Sequence, residues 1–223
     1  MIRSLAALAL HLALAASAAA AGTVVCPIDG RTFGYSEPPT DPIRGRYLDM
    51  KPIASYATPW PLPQCPDNGF VIYRADAFSA DKLDKLRAFV ASPRYREMLG
   101  THTNYYLAAV LRREAGEPLY DIAWALTQAT WEASDPDRYR RYAEEALAAY
   151  NALPKDLDRR QNTLREMISG ELERRLGLFD TAEKRFRRLR DAAEFTAPQL
   201  QHTIELELRL IDKKDSGPYR MPR

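Results

Sequence analysis

Beyond Asp76 the apolar residues recur at helical spacing between regularly placed start and stop signals, a pattern that predicts consecutive α-helices. Pro136 and Pro198 suit first helical turns, and Gly116 and Gly177 suit helix ends. We predict about seven helices. The first helix covers residues 79–91 with Ser79 as its cap, and the second begins at residue 101 or 103 and ends at residue 116. The next three cover residues 117–134, 135–153 and 156–176. A helix capped by Asp180 follows, and the last covers residues 198–212.

One stretch in the last third carries a repeat signal. Small and aromatic residues follow one another at spacings of seven, two, three and four, which match positions of a tetratricopeptide repeat. Because one such unit cannot bury its own core, we predict a mainly α, tetratricopeptide-like stack over residues 76–212. An unrelated helical hairpin is the alternative. The residues expected to pack the repeat are Gly170, Gly177, Phe179, Ala182 and Phe186.

Residues 22–75 hold most of the prolines, which deny backbone donors to regular structure. This Pro-rich zone is expected to consist of loops, turns and short strands. The strand candidates are residues 23–25 and 70–73, which we expect to pair with each other. Residues 213–223 are predicted to be a flexible tail.

The first residues predict export. Arg3 precedes an apolar run from Leu5 to Ala16, and small residues follow it. This order is typical of a cleaved signal peptide over residues 1–21, with the mature chain beginning near Gly22. We therefore expect a periplasmic or secreted protein without a later transmembrane segment. Acylation of Cys26 in a lipoprotein is a weaker alternative, because Val25 is large where such sites favour a small residue.

The charge balance and the histidine content argue against nucleic-acid binding and against an enzyme. Lys and Arg number 32 against 30 for Asp and Glu, so no global field attracts nucleic acid. The basic runs are accompanied by acidic residues, as in the pair Glu171 and Arg175, and predict solvated helix faces; an anionic envelope polymer stays open as a partner. Only His102 and His202 remain after the leader, each isolated in sequence. We predict no catalytic residues, no cofactor and no enzyme.

The two cysteines lie in similar segments. Cys26-Pro-Ile-Asp-Gly30 and Cys65-Pro-Asp-Asn-Gly69 each resemble half of a zinc ribbon, in which the turn Cys-Pro-x-Cys-Gly presents two thiolates to one metal. Asp29 and Asn68 occupy the positions of the second thiolates.

These half-knuckles, with residues 92–99 and 170–182, resemble the bacterial domain of unknown function 2225 family, which joins paired zinc knuckles to tetratricopeptide-like helices. The resemblance implies architecture and no activity. Turns built to meet around zinc would bring Cys26 and Cys65 together, and in an oxidising compartment this implies a disulfide. The alternative is a metal-binding protein or enzyme with a site around Asp29, Asp67 and Asn68.

The predicted helix 117–134 has two unlike faces. Small and aliphatic residues share one face, whereas large aromatics and hydrogen-bonding side chains share the other. Either this second face is core, or it binds a protein or peptide of unknown identity, the usual role of helical stacks. The partner-binding candidates are Tyr120, Trp124, Gln128 and Trp131, beside Thr127.

Overall fold

A computed structural model describes residues 21–192 and 196–222 of the chain. Short strands lie in the Pro-rich zone, and helices occupy the rest, which confirms a mainly α fold. The strands are β1 (Ala21–Val25), β2 (Thr32–Ser36), β3 (Gly45–Arg46) and β4 (Pro52–Ile53). The helices are α1 (Ala80–Val90), α2 (Pro93–Leu99), α3 (Asn104–Glu114), α4 (Leu119–Glu132), α5 (Pro136–Asn151), α6 (Arg159–Arg175), α7 (Phe179–Asp191) and α8 (Pro198–Asp212).

Local signals set most helix boundaries. Pro136 and Pro198 open α5 and α8 as predicted. The side chain of Asp135 caps α5 by accepting a hydrogen bond from the backbone of Arg138 at 2.8 Å. Gly116 and Gly177 end α3 and α6 with φ angles of 65° and 78°, a left-handed conformation that glycine adopts without steric cost.

Two helix details differ from the sequence prediction. Residues 93–99 form the additional short helix α2, whose cap Ser92 accepts a hydrogen bond from the Tyr95 amide at 3.3 Å. Asp180 is not a cap, because α7 already begins at Phe179 and Leu178 is the capping residue. The first turn of α7 forms directly from the glycine turn that ends α6, so no separate polar cap is present.

Helices α3 to α8 each pack against the next helix in the chain. The approach of α6 and α7 depends on Gly170, since a β-carbon there would lie only 2.5 Å from the Phe186 ring. Ala182 and Phe186 are fully buried in the same contact, and Phe179 packs at its edge. The predicted packing residues therefore form a real helical hairpin, whereas the tetratricopeptide assignment stays a prediction.

The strand pairing differs from the prediction. Strand β1 pairs antiparallel with β2, which follows it in sequence, and residues 70–73 contribute only the bridge between Val71 and Gln64. Each candidate strand therefore closes a local hairpin around its own cysteine. Local closure fixes fewer intervening residues than pairing across the zone would, and so costs less chain entropy.

The C-terminal segment is not free of the fold, in contrast to the predicted flexible tail. The Leu48 amide donates to the Tyr219 carbonyl at 2.8 Å, and the Met221 amide donates to the Arg46 carbonyl at 2.9 Å. Tyr47 and Arg220 form a β-bridge between the same two segments. Residues 219–221 thus extend the small β3–β4 sheet of the Pro-rich zone.

A buried ion cluster lies where α6, α8 and this segment meet. Arg174 is fully buried and donates to Glu171 on its own helix at 2.6 and 2.9 Å and to Glu207 of α8 at 2.8 Å. Its remaining donors reach the carbonyls of Asp215 and Gly217 at 2.6 and 3.0 Å. The predicted i,i+4 pair of Glu171 and Arg175 is present, with 4.0 Å between its charged atoms, but Glu171 is buried, so the predicted solvated face is wrong here. Arg174 holds α8 and the C-terminal segment against this face of α6.

The two carboxyl groups outnumber the guanidinium. Burial raises the pKa of Glu207 to about 7, and burial together with the charge of Glu207 raises the pKa of Glu171 well above its usual value. Arg174 opposes both shifts. Both shifts reflect the cost of burying two negative charges close together.

We predict a specific pH dependence for this cluster. A carboxyl with a raised pKa in the folded state contributes stability that is full below its unfolded pKa and is lost as the pH rises through its folded pKa. Between pH 4.5 and 7, wild type should therefore lose stability relative to Glu207→Gln, by at most about 1.4 kcal/mol per pH unit. Urea unfolding of both proteins across this range measures the difference, and a difference independent of pH would contradict it.

Candidate functional site

The two cysteine hairpins have the same backbone geometry. In each, the glycine amide donates to the cysteine carbonyl at 2.9 Å, and the cysteine amide donates to the residue after the glycine at 2.8 Å. Gly30 and Gly69 both have positive φ, at 77° and 73°. The antiparallel contacts of Val25 with Thr32 and of Gln64 with Val71 close the hairpins at equivalent positions. The sequence likeness is therefore a structural repeat.

Asp29 and Asn68 also occupy equivalent positions. Asp29 accepts from the Arg31 amide, and Asn68 accepts from the Phe70 amide, both at 2.9 Å. The Asn68 amide group then donates to Asp29 at 2.8 Å and lies 3.5 Å from the Cys26 sulfur. The side chains at the positions of the second thiolates thus bind each other across the two hairpins.

Cys26 and Cys65 form the implied disulfide, which closes a loop of 39 residue steps. Both are almost fully buried, with a Cα–Cα distance of 5.6 Å. In the chain-entropy model, such a loop contributes about 4 kcal/mol by restricting the unfolded chain.

The alternative site around Asp29, Asp67 and Asn68 is engaged in protein contacts, because Asp67 forms an ion pair with Arg31. Within the described residues, no group of three or more His, Cys, Asp or Glu side chains is placed to hold a metal ion.

The second hairpin is fixed to the first helices. The Gly69 carbonyl accepts hydrogen bonds from the Tyr95 hydroxyl at 2.9 Å and from Gln64 at 3.1 Å. A β-carbon on Gly69 would lie 2.5 Å from the Leu99 side chain, so the turn packs closely on α2. The first hairpin contacts α1 through the Ile28 carbonyl, which accepts from Arg87 at 3.1 Å.

The aromatic face of α4 divides into two parts. Thr127 is fully buried and donates to the Ala123 carbonyl at 3.1 Å, with the Tyr150 hydroxyl 3.2 Å away. Trp131 is only 8% exposed, and its ring meets that of Trp124 edge-on at 5.5 Å. The remaining three candidates, which we call the α4 stripe, are half-buried: Tyr120, Trp124 and Gln128.

Trp131 belongs to a pocket of about 470 Å³, which we call the Trp131 pocket. Its walls come from α4, α5, the end of α6 and the loops of residues 47–58. Lys51 donates through Nζ to the Trp131 carbonyl at 3.0 Å and so ties the loop to α4. Arg175 lies over the Tyr139 ring at 4.6 Å from its centroid.

Sequence reasoning missed the residues that face Trp131. Asp49, Lys51 and Arg175 are distant in sequence and meet only because the Pro-rich zone folds across the helices. No sequence pattern marks Asp49 and Lys51, because the Pro-rich zone contains other charged residues such as Arg44 and Arg46.

The two histidines do not lie together. His102 is half-buried, stacks on Tyr106 at 4.2 Å between ring centroids, and places Nδ1 3.0 Å from the Tyr142 hydroxyl. Burial lowers the pKa of His102. His202 is exposed on α8.

Comparisons of the chain with protein-family models, with curated proteins and with solved structures give no match. The likeness to the paired-knuckle family therefore rests on the quoted motifs.

We predict that Cys26→Ser lowers the free energy of unfolding by about 4 kcal/mol, because the disulfide no longer restricts the unfolded chain. Cys65→Ser and the double variant should lose the same amount, since all three remove one shared bond. Limited proteolysis should cleave residues 22–75 before α3 to α5 in each variant. If both thiols of the untreated, denatured wild type react with maleimide, the bond is absent.

Proposed function

We propose that the protein is an exported helical binding protein that holds another protein or peptide against α4. The observation that carries this proposal is the partial exposure of Tyr120, Trp124 and Gln128, one from each of three successive turns of α4, although both aromatic rings also pack against the core. A helix that packs on both neighbours usually presents charged residues at its remaining surface. The α4 stripe instead presents two aromatic rings and an amide.

This composition suits recognition. Tyr and Trp supply large contact areas with few rotatable bonds, and they are frequent anchors of protein interfaces. Gln128 adds a donor and an acceptor for a partner's backbone. A protein or peptide segment lying along α4 would cover the two rings and use the amide for orientation.

The stripe has a rigid base. Helix α4 packs between α3 and α5, and Ile122, Ala125 and Ala129 are buried on its opposite face. The contact between Thr127 and the Tyr150 hydroxyl fixes the rotation of α4 relative to α5. A rigid surface loses little conformational entropy on binding, which favours affinity.

Trp131 has a different role within this proposal. Because it is almost fully buried and supports the Trp124 ring edge-on, it acts as part of the packing beneath the stripe. The core interpretation therefore applies to Trp131, and the binding interpretation applies to Tyr120, Trp124 and Gln128.

Export is the second part of the proposal. The signal-peptide prediction falls on residues 1–21, and residues 1–20 lie outside the described residues. The disulfide supports a periplasmic or secreted location, since such bonds persist in oxidising compartments. Among the residues that the structure describes, no helix is long and apolar enough to cross a membrane.

We also propose that the helices form a tetratricopeptide-like stack. The support is the sequential packing of α3 to α8 together with the close approach of Gly170 to Phe186. In stacks of this kind, neighbouring repeats bury a continuous core and leave one extended surface for ligands.

Alanine substitutions of Trp124 and Trp131 should show which of the two side chains is needed for stability. Trp124→Ala should cost about 1 to 2 kcal/mol of unfolding free energy, as expected of a partly exposed side chain, whereas Trp131→Ala should cost about 3 kcal/mol or more. Thermal unfolding followed by circular dichroism measures both changes. Equal and severe losses would assign Trp124 to the core as well.

Binding itself is tested by a photo-crosslinking residue at position 120 or 128 in producing cells. We expect a discrete crosslinked species that disappears when Trp124→Ala is added. The matched control carries the crosslinker at exposed Arg187 on α7 and should not give that species. The same product from position 187, or its persistence in Trp124→Ala, would contradict the proposed surface.

A further inference from the structure

The Trp131 pocket carries an excess of positive charge. Of the ionisable groups that line it, Lys51 and Arg175 are cationic and Asp49 is acidic. Asp49 is 6% exposed, and one of its oxygens accepts from the Lys51 amide at 2.9 Å. Burial raises the pKa of Asp49, and the nearby charges of Arg175 and Lys51 oppose this shift.

Groups behind the lining do not reverse this balance. Glu171 and Glu207 are both hydrogen-bonded to Arg174, at 2.6 and 2.8 Å. Glu171 is farther from Arg175, at 4.0 Å. The guanidinium of Arg175 is 14% exposed, and its Nε has no hydrogen-bond partner, so it retains a donor for a ligand.

Three polar atoms on lining residues have no hydrogen-bond partner. They are the Trp131 indole nitrogen, the Tyr139 hydroxyl and the Nε of Arg175. Leaving a buried donor unpaired costs about 1 to 3 kcal/mol, so three such groups around one pocket are unfavourable in a ligand-free fold. All three can donate to an oxygen anion.

Apart from Thr58 and Thr130, the rest of the lining is apolar or aromatic. Tyr47 and Tyr56 face the pocket together with Pro52, Ile53 and Pro218. A pocket with polar donors on one side and apolar walls on the other orients a ligand that has both a charged and an apolar end.

We propose that the Trp131 pocket binds an organic carboxylate with an adjoining apolar group, its oxygens held by Arg175, Lys51 and the indole N–H of Trp131, and its apolar end placed between Tyr47 and Tyr56. Arg is suited to this role because its planar guanidinium presents two parallel donors to a carboxylate. Tyr139, stacked beneath Arg175, fixes the orientation of the guanidinium and offers a further donor.

The indole nitrogen and the tyrosine hydroxyl are themselves buried, although both residues line the pocket. Their engagement requires small side-chain rotations, which are common when ligands bind to otherwise rigid sites. The indole N–H resonance of Trp131 is consequently a direct reporter of occupancy.

This inference does not depend on the partner proposed for the α4 stripe. The carboxylate belongs either to a free organic acid or to the C-terminus of a peptide. The Arg175 and Lys51 variants test the pocket, whereas Trp124→Ala tests the stripe, so one proposal can fail without the other.

The test is a titration of ¹⁵N-labelled full chain, with the indole resonance of Trp131 assigned through Trp131→Phe. Phenylacetate is the probe, and phenylacetamide is its uncharged match. We expect a saturable shift of the Trp131 indole resonance with phenylacetate and none with phenylacetamide. Arg175→Gln should weaken binding by about tenfold or more, because charge-assisted hydrogen bonds are lost. Arg187→Gln, which removes an exposed cation on α7, should bind like wild type.

Two further arms complete the experiment. Lys51→Gln should also weaken phenylacetate binding. If Arg175→Gln does not fold, Lys51→Gln alone tests whether the cations of the Trp131 pocket bind the carboxylate. Acetyl-Gly-Phe as free acid and as amide identifies the source of the carboxylate: tighter binding than phenylacetate indicates a peptide terminus, and weaker binding indicates a free acid. Equal shifts with acids and amides, no saturable shift with either acid, or unchanged affinity in both folded charge variants would overturn the proposal.

Discussion

The buried guanidinium of Arg174 is the interaction on which the arrangement of this protein depends. It has no exposed surface, and it binds two carboxyl groups and two backbone carbonyls from three separate parts of the chain. Removing one partner of such a cluster leaves a buried charge or acceptor unpaired, which costs several kcal/mol. Helix α6, helix α8 and the C-terminal segment are thereby required to meet at one point.

This constraint extends to the Pro-rich zone. The C-terminal segment, held by Arg174, supplies the backbone partners of Leu48 and Arg46, while the disulfide joins the two cysteine hairpins and Tyr95 fixes the second of them to α2. The zone is therefore attached to the helices at several places along its length, including the Lys51 bond to α4. Between these attachments lies the Trp131 pocket, with Arg175 directly following Arg174 in sequence. The position of Arg175 in the pocket is a consequence of the cluster beside it.

The sequence predicts the features that neighbouring residues determine, and it fails for features that depend on contacts between distant parts of the chain. Pro136, Pro198, Gly116 and Gly177 mark helix ends correctly, because each acts on its own backbone. The short helix α2 escapes a periodicity argument, since seven residues give barely two turns. Glu171 and Arg175 have the spacing of a surface pair, and the burial of Glu171 follows only from the later placement of α8 and the C-terminal segment.

The same distinction applies to the candidate sites. The disulfide could be predicted from the likeness of two short segments. The α4 stripe could be predicted from helical geometry within one element. The pocket could not be predicted, because Asp49, Trp131 and Arg175 come from three regions that only tertiary contacts bring together. Trp131 is buried and Trp124 is half-buried. This difference along one helix face likewise depends on which loops cover α4.

The most direct test of this account is hydrogen exchange in Arg174→Met, which keeps an apolar stem but removes all five donors. The amides of Leu48 and Met221, which bond across the Pro-rich zone and the C-terminal segment, should exchange about tenfold faster or more, because this region would open separately from the rest. The amide of Ala115 at the end of α3 should keep its protection and serves as the internal control. Unchanged protection at Leu48 and Met221, or an equal loss at Ala115, would contradict the central place given to Arg174.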